Sequence, residues 1–455
     1  GLWAAHFENG FFRGENSCKT YQATYHSAPA LFELIGTSWE HHFTARHDLR
    51  QNWVRPFFAD CSPTDLAKLA WAFSMHLLGR SSDRSISVGD YLERSKISER
   101  CKAWLRASAL GGVTGTLQMT MWEMFHRFRG NLSGIYLDYD DKLFWNRQPP
   151  NSPKGFLARW THALEQAGVD VRLRSPVAKI ETAPGRTGGD RRTTIKLCDG
   201  SAETVEAVFL ALPPPALSKV LLASDDAISQ GFGHSREALR VFLKDSVYEH
   251  LGLLWLFDRP LQRDLPLGGH GVRHNWHPIL VQYSQYQAFL KPPAVTAVIG
   301  SISLATDFRH SRLKTKISEH SPLEIARIVW EDERLADPDL PEPLETLELG
   351  VSSATQITHH GPLPVRAATA PVYITTNLNG LSPYFTSSLE SAIQAGSAAA
   401  AAFDPGITNS CRVFHRAFCG EILGQFRQVV ILPGDQGDAD LHAHSKVLCL
   451  ARAST

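Results

Sequence analysis

The spacing of apolar residues divides much of the chain into strands and helices. A β-branched run from Val372 to Thr376 predicts a short strand. A polar loop follows, and an Ala-rich helix begins at Ser387 or Ser388. This order brings unpaired backbone N–H groups and the positive end of a helix dipole to one place. Such a place binds a phosphate or the electron-rich edge of a ring, although an ordinary connection has the same pattern.

A second patterned region follows residue 154. Apolar residues recur at helical spacing from Leu157 to Ala167, and Gly168 is placed to end the helix. Val169, Val171 and Leu173 alternate with polar residues and predict a strand.

A hairpin is predicted next. The Asp199-Gly200 pair follows the strand-like residues 194–197, which is typical of a tight turn between two strands. The apolar run from Val208 to Leu212 then predicts another strand, which the three prolines at 213–215 end.

The remaining patterns predict a helical region, then a sheet. Helices are expected at residues 65–78, 88–92, 102–109 and 119–128, and strands at 250–257 and 294–302. Residues 1–60 show no clear period and are expected to be irregular.

Composition narrows the class of protein. A chain of 455 residues with 43% hydrophobic and 20% charged residues is expected to form two or three packed domains. Its 46 basic and 46 acidic side chains cancel, so charge gives no reason to expect nucleic acid or an anionic membrane as a partner. Apolar runs are too short to predict a membrane-spanning helix.

The positions of the cysteines and histidines give little evidence of disulfides or of a metal site. The seven cysteines are odd in number and form no C-x-x-C pair, so free thiols in a reducing compartment and an intracellular location are expected. Two groups have ligand-like spacing: the Asp and His residues at 435–444, and His270, His274 and His277. Both lie in loop-like segments, so no metal site is predicted.

The helix after residue 386 carries a resemblance. The run S-x-x-E-S-A-I-Q-A-G from Ser387 to Gly396 resembles the C-terminal flavin-binding segment of flavin-dependent amine oxidases. The opening Gly1-Leu2 resembles the last glycine of that family's G-x-G-x-x-G turn and the start of the helix after it. The segments 154–180 and 199–216 also resemble family segments, and the four pieces stand in the family's order.

This resemblance implies an α/β fold of two domains: a Rossmann-like FAD-binding domain and a substrate domain with a mixed sheet and helices. Residues 1–60, 151–215 and 351–405 are expected to form the discontinuous FAD-binding domain. Residues 61–150 and 216–350 are expected to form the substrate domain. Residues 406–455 form a tail of unknown role.

The resemblance also implies a cofactor and its contacts. FAD is the expected cofactor, and the residues expected to bind it are Gly1, Leu2, Val177, Pro213, Asn377, Ser388, Leu389 and Glu390. An acidic residue for the adenosine ribose is expected in the first 60 residues, where Glu15 and Glu33 are the nearest candidates. Because only the last glycine of the phosphate-binding turn is present, the chain as given is expected to bind FAD weakly or not at all.

Three departures from the family pattern concern the reaction site. The strand at 250–257 lacks the lysine that many members place near flavin N5. Asn377 stands near the place of a Gly-Asp pair. Ser388 replaces an aromatic wall residue, a part that Tyr384 and Phe385 could play instead.

The resemblance implies an FAD-dependent oxidoreductase that moves a hydride from a C–H bond next to nitrogen to flavin N5. Its expected partner is a small-molecule substrate, an amine by resemblance. Two alternatives stay open: a non-catalytic relative that acts as an interaction protein, and another branch of the superfamily, such as a desaturase, isomerase or mutase.

Overall fold

The computed structural model describes the greater part of the chain up to residue 396. It describes residues 5–15, 20–22, 27–47, 55–79, 84–110, 116–125, 142–183, 192–212, 214–262, 265, 276–305, 308–379, 392 and 395–396. The hairpin, helix and sheet predictions can be compared with these residues.

Fourteen strands lie within the described residues. They are β1 (Ala5–Glu8), β2 (Phe11–Glu15), β3 (Thr20–Gln22), β4 (Phe43–His47), β5 (Lys142–Asn146), β6 (Val177–Ala183), β7 (Arg192–Leu197), β8 (Ala202–Val205), β9 (Val208–Leu210), β10 (Val247–Phe257), β11 (Ile279–Gln282), β12 (Thr296–Ser303), β13 (Glu345–Thr355) and β14 (Val372–Ile374). They form five sheets, with strand orders β1-β2, β3-β5-β4, β6-β7-β8, β9-β14 and β11-β12-β10-β13.

The α-helices with described bounds follow in chain order. They are α1 (Ser27–Leu34), α2 (Trp39–His42), α3 (Arg55–Asp60), α4 (Pro63–Leu77), α5 (Val88–Arg94), α6 (Glu99–Leu110), α7 (Phe156–Gln166), α8 (Pro214–Ala223), α9 (Asp226–Gly231), α10 (Arg236–Asp245) and α11 (Pro322–Ala336). Residues 121–125 are also helical, and short 3₁₀ helices lie at Ser284–Phe289, Ile317–Glu319 and Asn377–Asn379.

The antiparallel sheet β11-β12-β10-β13 separates two apolar cores. On one face, Trp255 of β10 packs with Trp330 of α11, and its indole N–H donates to the carbonyl of Ala326 at 3.2 Å. A Cβ at Gly300 of β12 would lie 2.6 Å from the Trp255 ring, so only glycine leaves room for this side chain. The other face packs Leu254 and its neighbours against the β1–β2 hairpin.

A third core joins the three-stranded sheet β6-β7-β8, the parallel pair β9-β14 and helices α8 to α10. Its buried side chains include Ile180 of β6, Leu210 of β9, Phe242 of α10 and Ile374 of β14. One apolar core therefore joins strands and helices that are far apart in sequence. The division of the chain into domains stays a prediction.

Several sequence predictions agree with the structure. Helix α7 ends where Gly168 adopts a φ of +71°, and the β7–β8 hairpin turns at Gly200, with a φ of +88°. The helices predicted within residues 65–109 correspond to α4, α5 and α6, and the strands predicted at 250–257 and 294–302 correspond to β10 and β12. These elements are confirmed.

The strand predicted from Val169 to Leu173 is wrong. The chain there is irregular, Leu173 is 62% exposed, and Arg174 adopts a φ of +59°. Strand β6 begins only at Val177, where pairing with Leu197 becomes available. The alternation of apolar and polar residues is therefore not enough to form a strand here, because a strand also needs a neighbouring strand to pair with.

The first 60 residues are not irregular, and the helix expected after Gly1 and Leu2 is not formed by the described residues. Ala5–Glu8 is instead strand β1, paired antiparallel with Phe11–Glu15. Asn9 and Gly10 make the turn with φ values of +51° and +82°. Ala5 and Phe12 are buried against the large sheet, which stabilises the hairpin in place of a helix.

Candidate functional site

One edge of the fold is formed by the carboxyl ends of two parallel strands. Strand β14 pairs with β9 in the register Val372 to Val208 and Ile374 to Leu210. Beyond the pair, the backbone N–H of Thr375 donates to the carbonyl of Leu210 at 3.2 Å. Ligands of α/β proteins bind at the carboxyl ends of parallel strands, because the chain leaves the sheet there and exposes backbone groups.

The loop that follows β14 is fixed by Asn379. Its side-chain oxygen accepts from the Thr376 backbone N–H at 3.1 Å, and its side-chain nitrogen donates to the Leu363 carbonyl at 2.9 Å. The Leu378 N–H donates to the Thr376 hydroxyl at 3.2 Å. Asn377 is half-buried inside this turn, so it has a fixed place at the strand edge.

The predicted helix beyond this loop is described at only three positions. Ala392, Ala395 and Gly396 are helical, and Ala395 is buried against Tyr373 of β14. Tyr373 in turn stacks on Phe209 of β9, with ring centroids 4.9 Å apart. Ala395 therefore packs on the parallel pair. The predicted site residues Tyr384, Phe385, Ser388, Leu389 and Glu390 lie outside the described residues.

The other predicted cofactor residues divide into described and undescribed positions. Val177 is the first residue of β6 and packs, half-buried, against the core that contains both strands of the parallel pair. Leu212, at the end of β9, packs against the same core. Pro213, Gly1 and Leu2 lie outside the described residues. The structure therefore brings Val177 into the same core as the strand that leads to Asn377.

The two acidic candidates for ribose recognition lie in different surroundings. Glu15 is fully buried at the end of β2, where its carboxylate accepts from the Tyr286 hydroxyl at 2.9 Å. Glu33 is exposed on α1. Glu15 thus has a structural partner in the large sheet's core.

A polar patch lies at one end of the large sheet. Directly paired residues of antiparallel strands share a face, so His250 of β10 lies beside Ser303 of β12 and Ser352 of β13. Gly252 and its partner Ser301 follow on the same face. His250, Ser301 and Ser303 are almost completely buried. We call these five residues the β10 polar patch; further along the face, Leu254 and Leu256 are apolar.

The imidazole of His250 is a buried neutral group. Burial lowers the pKa of His250 to about 4, because the charged form of the ring loses its surrounding water. Neither ring nitrogen has a hydrogen-bond partner in the described part of the protein, and neither does the Ser301 hydroxyl. A neutral imidazole has one donor and one acceptor nitrogen, so His250 keeps the capacity to form hydrogen bonds in both senses.

His250 was not among the predicted site residues, although it lies in a predicted strand. One feature of the sequence could have indicated it: His250 and Gly252 stand at alternate positions in an otherwise apolar stretch of β10. The lysines near this strand do not fill the missing position: Lys244 lies on the surface of α10 and Lys291 on an exposed turn. Strand β10 itself carries no lysine.

A model of a protein family matches the chain. The model of flavin-containing amine oxidoreductases matches residues 42–344, more than half of the chain. No curated protein sequence matches the chain.

Solved structures of low sequence identity share the fold. Cyclohexylamine oxidase from Brevibacterium oxydans IH-35A is 13% identical, with a TM-score of 0.55 over 88% of this chain and 91% of that one. An oxidoreductase from Methanosarcina mazei is 13% identical, with a TM-score of 0.53 over 87% and 91%. Putrescine oxidase bound to putrescine is 11% identical, with a TM-score of 0.56 over 89% and 91%. At such identities these likenesses establish the fold alone.

The lengths and hydropathies of the described helices bear on membrane insertion. Among these helices, every one is too short or too polar to cross a bilayer.

Proposed function

The chain belongs to the flavin-containing amine oxidoreductases, and we propose that it oxidises a small amine at a site between the β9–β14 edge and the β10 polar patch. The predicted fold class, a two-domain α/β flavoprotein of the amine oxidase type, is confirmed, as is the FAD cofactor. The observation that carries the proposal is the family match, which spans both the strand β9 and the strand β10.

The residues at the β9–β14 edge suit a flavin. A flavin needs a flat apolar wall and backbone or amide groups for its polar edge. The apolar core around Val177 and the fixed turn that holds Asn377 offer both. We propose that Val177, Pro213 and Asn377 contact FAD, and that the segment Ser388 to Glu390 supplies N–H groups at its helix start.

The chemistry that the flavin supplies when bound is acceptance of a hydride, at N5, from a C–H bond next to nitrogen. The protein's own part is to hold the amine neutral, orient it and exclude water. The buried turn around Thr375 and Thr376 and the buried sheet face around His250 both keep polar groups away from water.

We propose that His250 binds the amine group of the substrate. It lies on β10, which by the resemblance takes the place of the strand from which many family members present a lysine. Its uncharged imidazole accepts a hydrogen bond from an amine N–H without repelling a positive charge, as a lysine ammonium would. Tyr384 and Phe385 are proposed as an aromatic wall on the opposite side of the substrate.

The test uses the purified full chain with FAD. Because weak binding is expected, FAD is kept in excess, its binding is measured by calorimetry, and its visible absorbance is followed. Anaerobic addition of cyclohexylamine, putrescine and other small amines should bleach that absorbance, and air should then yield hydrogen peroxide. Replacing His250 with Leu should raise the KM for the amine that works best, while replacing exposed His162 with Leu should not.

The alternatives predict other results. A protein that binds no FAD even when FAD is in large excess would be a non-catalytic relative. A protein that retains flavin but is bleached by none of the amines would belong to another branch of the superfamily. Either outcome would refute amine oxidation.

A further inference from the structure

Two histidines and an aspartate meet at the surface, outside the proposed flavin and substrate contacts. Asp245 is the last residue of α10, and His359 and His360 lie in the turn that follows β13. One ligand atom from each of the three side chains lies within 4.8 Å of the other two. These residues come from two segments more than a hundred positions apart, so the fold brings them together.

Backbone hydrogen bonds hold the two segments in place. The Gln356 N–H donates to the Ser246 carbonyl at 2.9 Å, and its side-chain nitrogen donates to the Asp245 carbonyl at 3.5 Å. The Gly361 N–H closes the turn by donating to the Thr358 carbonyl at 3.0 Å. The main chain on both sides of the cluster is therefore fixed before any ligand binds.

The side chains are also close. His360 Nε2 lies 3.0 Å from Asp245 Oδ2, and the rings of His359 and His360 have centroids 3.9 Å apart. The hydrogen bond explains the positions of His360 and Asp245 but gives no reason for the second imidazole. A metal ion that binds both imidazoles would account for the second one.

We propose that Asp245, His359 and His360 form a binding site for a divalent transition metal, with Zn²⁺ the best match. Two imidazole nitrogens and one carboxylate oxygen are a donor set that suits Zn²⁺. Bonds of about 2.0–2.2 Å place tetrahedral ligand atoms about 3.3 Å apart. The His360–Asp245 spacing is already close to this value, and a ligand atom of exposed His359 lies within 4.8 Å of both.

Three protein ligands leave the fourth position to water. A partly exposed site suits this, because Asp245 and His360 are half-buried and His359 faces solvent. On the protein side, the His360 ring contacts the buried ring of Phe242, with centroids 5.8 Å apart.

The consequence for the protein is a link between α10 and the chain that leads to β14. Leu363 lies three residues beyond His360, and its N–H donates to the Leu378 carbonyl at 2.8 Å. Its own carbonyl accepts from Asn379, which fixes the turn around Asn377. A bound metal would therefore stabilise the segment that supports the flavin edge, which is a structural role rather than a catalytic one.

The test measures metal binding by the full chain after treatment with a chelator, in the absence of FAD and amine. Zn²⁺ is titrated by calorimetry into four proteins: the natural sequence, His359→Ala, Asp245→Asn and the control His162→Ala, which removes an exposed histidine on α7. The natural sequence and the control should bind one more equivalent of Zn²⁺ than the other two. At a minimum, loss of one ligand side chain should lower the affinity for this Zn²⁺ ion by about tenfold.

Co²⁺ provides an independent readout. Tetrahedral Co²⁺ absorbs visible light, so the natural sequence and His162→Ala should gain a visible band that His359→Ala lacks. The same stoichiometry and affinity in all four proteins, or an unchanged Co²⁺ band in His359→Ala, would overturn the proposal. Because neither measurement involves flavin or amine, its failure is distinct from a failure of the proposed oxidase activity.

Discussion

Replacing His250 with Leu should make the stability of the protein less dependent on pH. In the folded protein, burial holds the pKa of His250 at about 4, whereas an unfolded chain has a histidine pKa near the ordinary value of 6.5. Between these two pH values the unfolded state binds more protons than the folded state. The free energy of unfolding therefore falls as the pH drops from 6.5 toward 4.

The size of the effect follows from the two pKa values. The difference between the two pKa values corresponds to about 3 kcal/mol of the free energy of unfolding. About 2 kcal/mol of this stability is lost between pH 7 and pH 5. The pKa of His42 is also lowered to about 4. Burial is the largest cause, and the nearby His41 and Arg159 lower the pKa of His42 further. The variant His250→Leu should therefore keep the share of the pH dependence that comes from His42.

Leucine has a similar volume and removes the two unpaired ring nitrogens. The stability at pH 7 should change little, because replacing an unpaired buried polar group by an apolar one removes a desolvation cost. Urea titrations at pH 7 and pH 5, followed by circular dichroism, give the free energies of unfolding. The control His162→Leu removes an exposed histidine.

The expected result is a loss between pH 7 and pH 5 that is about 2 kcal/mol smaller in His250→Leu than in the natural sequence and the control. An equal loss in all three proteins would show that His250 is not a buried neutral group.

Two further substitutions test the packing of the large sheet and the start of α11. Gly300→Ala places a methyl group 2.6 Å from the Trp255 ring and should lower the free energy of unfolding by about 1–3 kcal/mol. An unchanged midpoint of unfolding in urea would contradict the close contact between Gly300 and Trp255. Ser321→Ala removes the capping box of α11, in which the Ser321 hydroxyl accepts from the Glu324 N–H at 3.4 Å. It should lower the free energy of unfolding by about 0.5–2 kcal/mol in the same assay, whereas Ser321→Asp should keep most of that stability.

Local sequence patterns predicted the elements whose stabilising contacts are themselves local. The β7–β8 hairpin was predicted from Asp199-Gly200, because a tight turn with a positive φ needs glycine. Helix α7 was predicted from its apolar spacing and from Gly168, which ends it. The strand β14 was predicted from its β-branched run.

The resemblance to the amine oxidases was likewise present in the sequence. It rested on short segments far apart in the chain, and the order of those segments was enough to indicate the family, the fold class and FAD. The contacts of Ser388, Leu389 and Glu390 with the cofactor stay a prediction, because these residues lie outside the described part of the chain.

Only the tertiary structure decided the elements that depend on distant partners. Ala5–Glu8 becomes a strand because it packs with Phe12 against the large sheet, although its sequence looked like the start of a helix. Val169 to Leu173 has the alternation of a strand and yet lacks a neighbour to pair with.

The same reason applies to the two polar groups that sequence reasoning missed. His250 is buried and neutral because three strands and their covering chain exclude water from it, which no local pattern records. Asp245 meets His359 and His360 only because α10 packs beside the end of β13. Burial and proximity depend on the whole fold, so the sequence determined which elements form locally and the tertiary structure determined which side chains share a site.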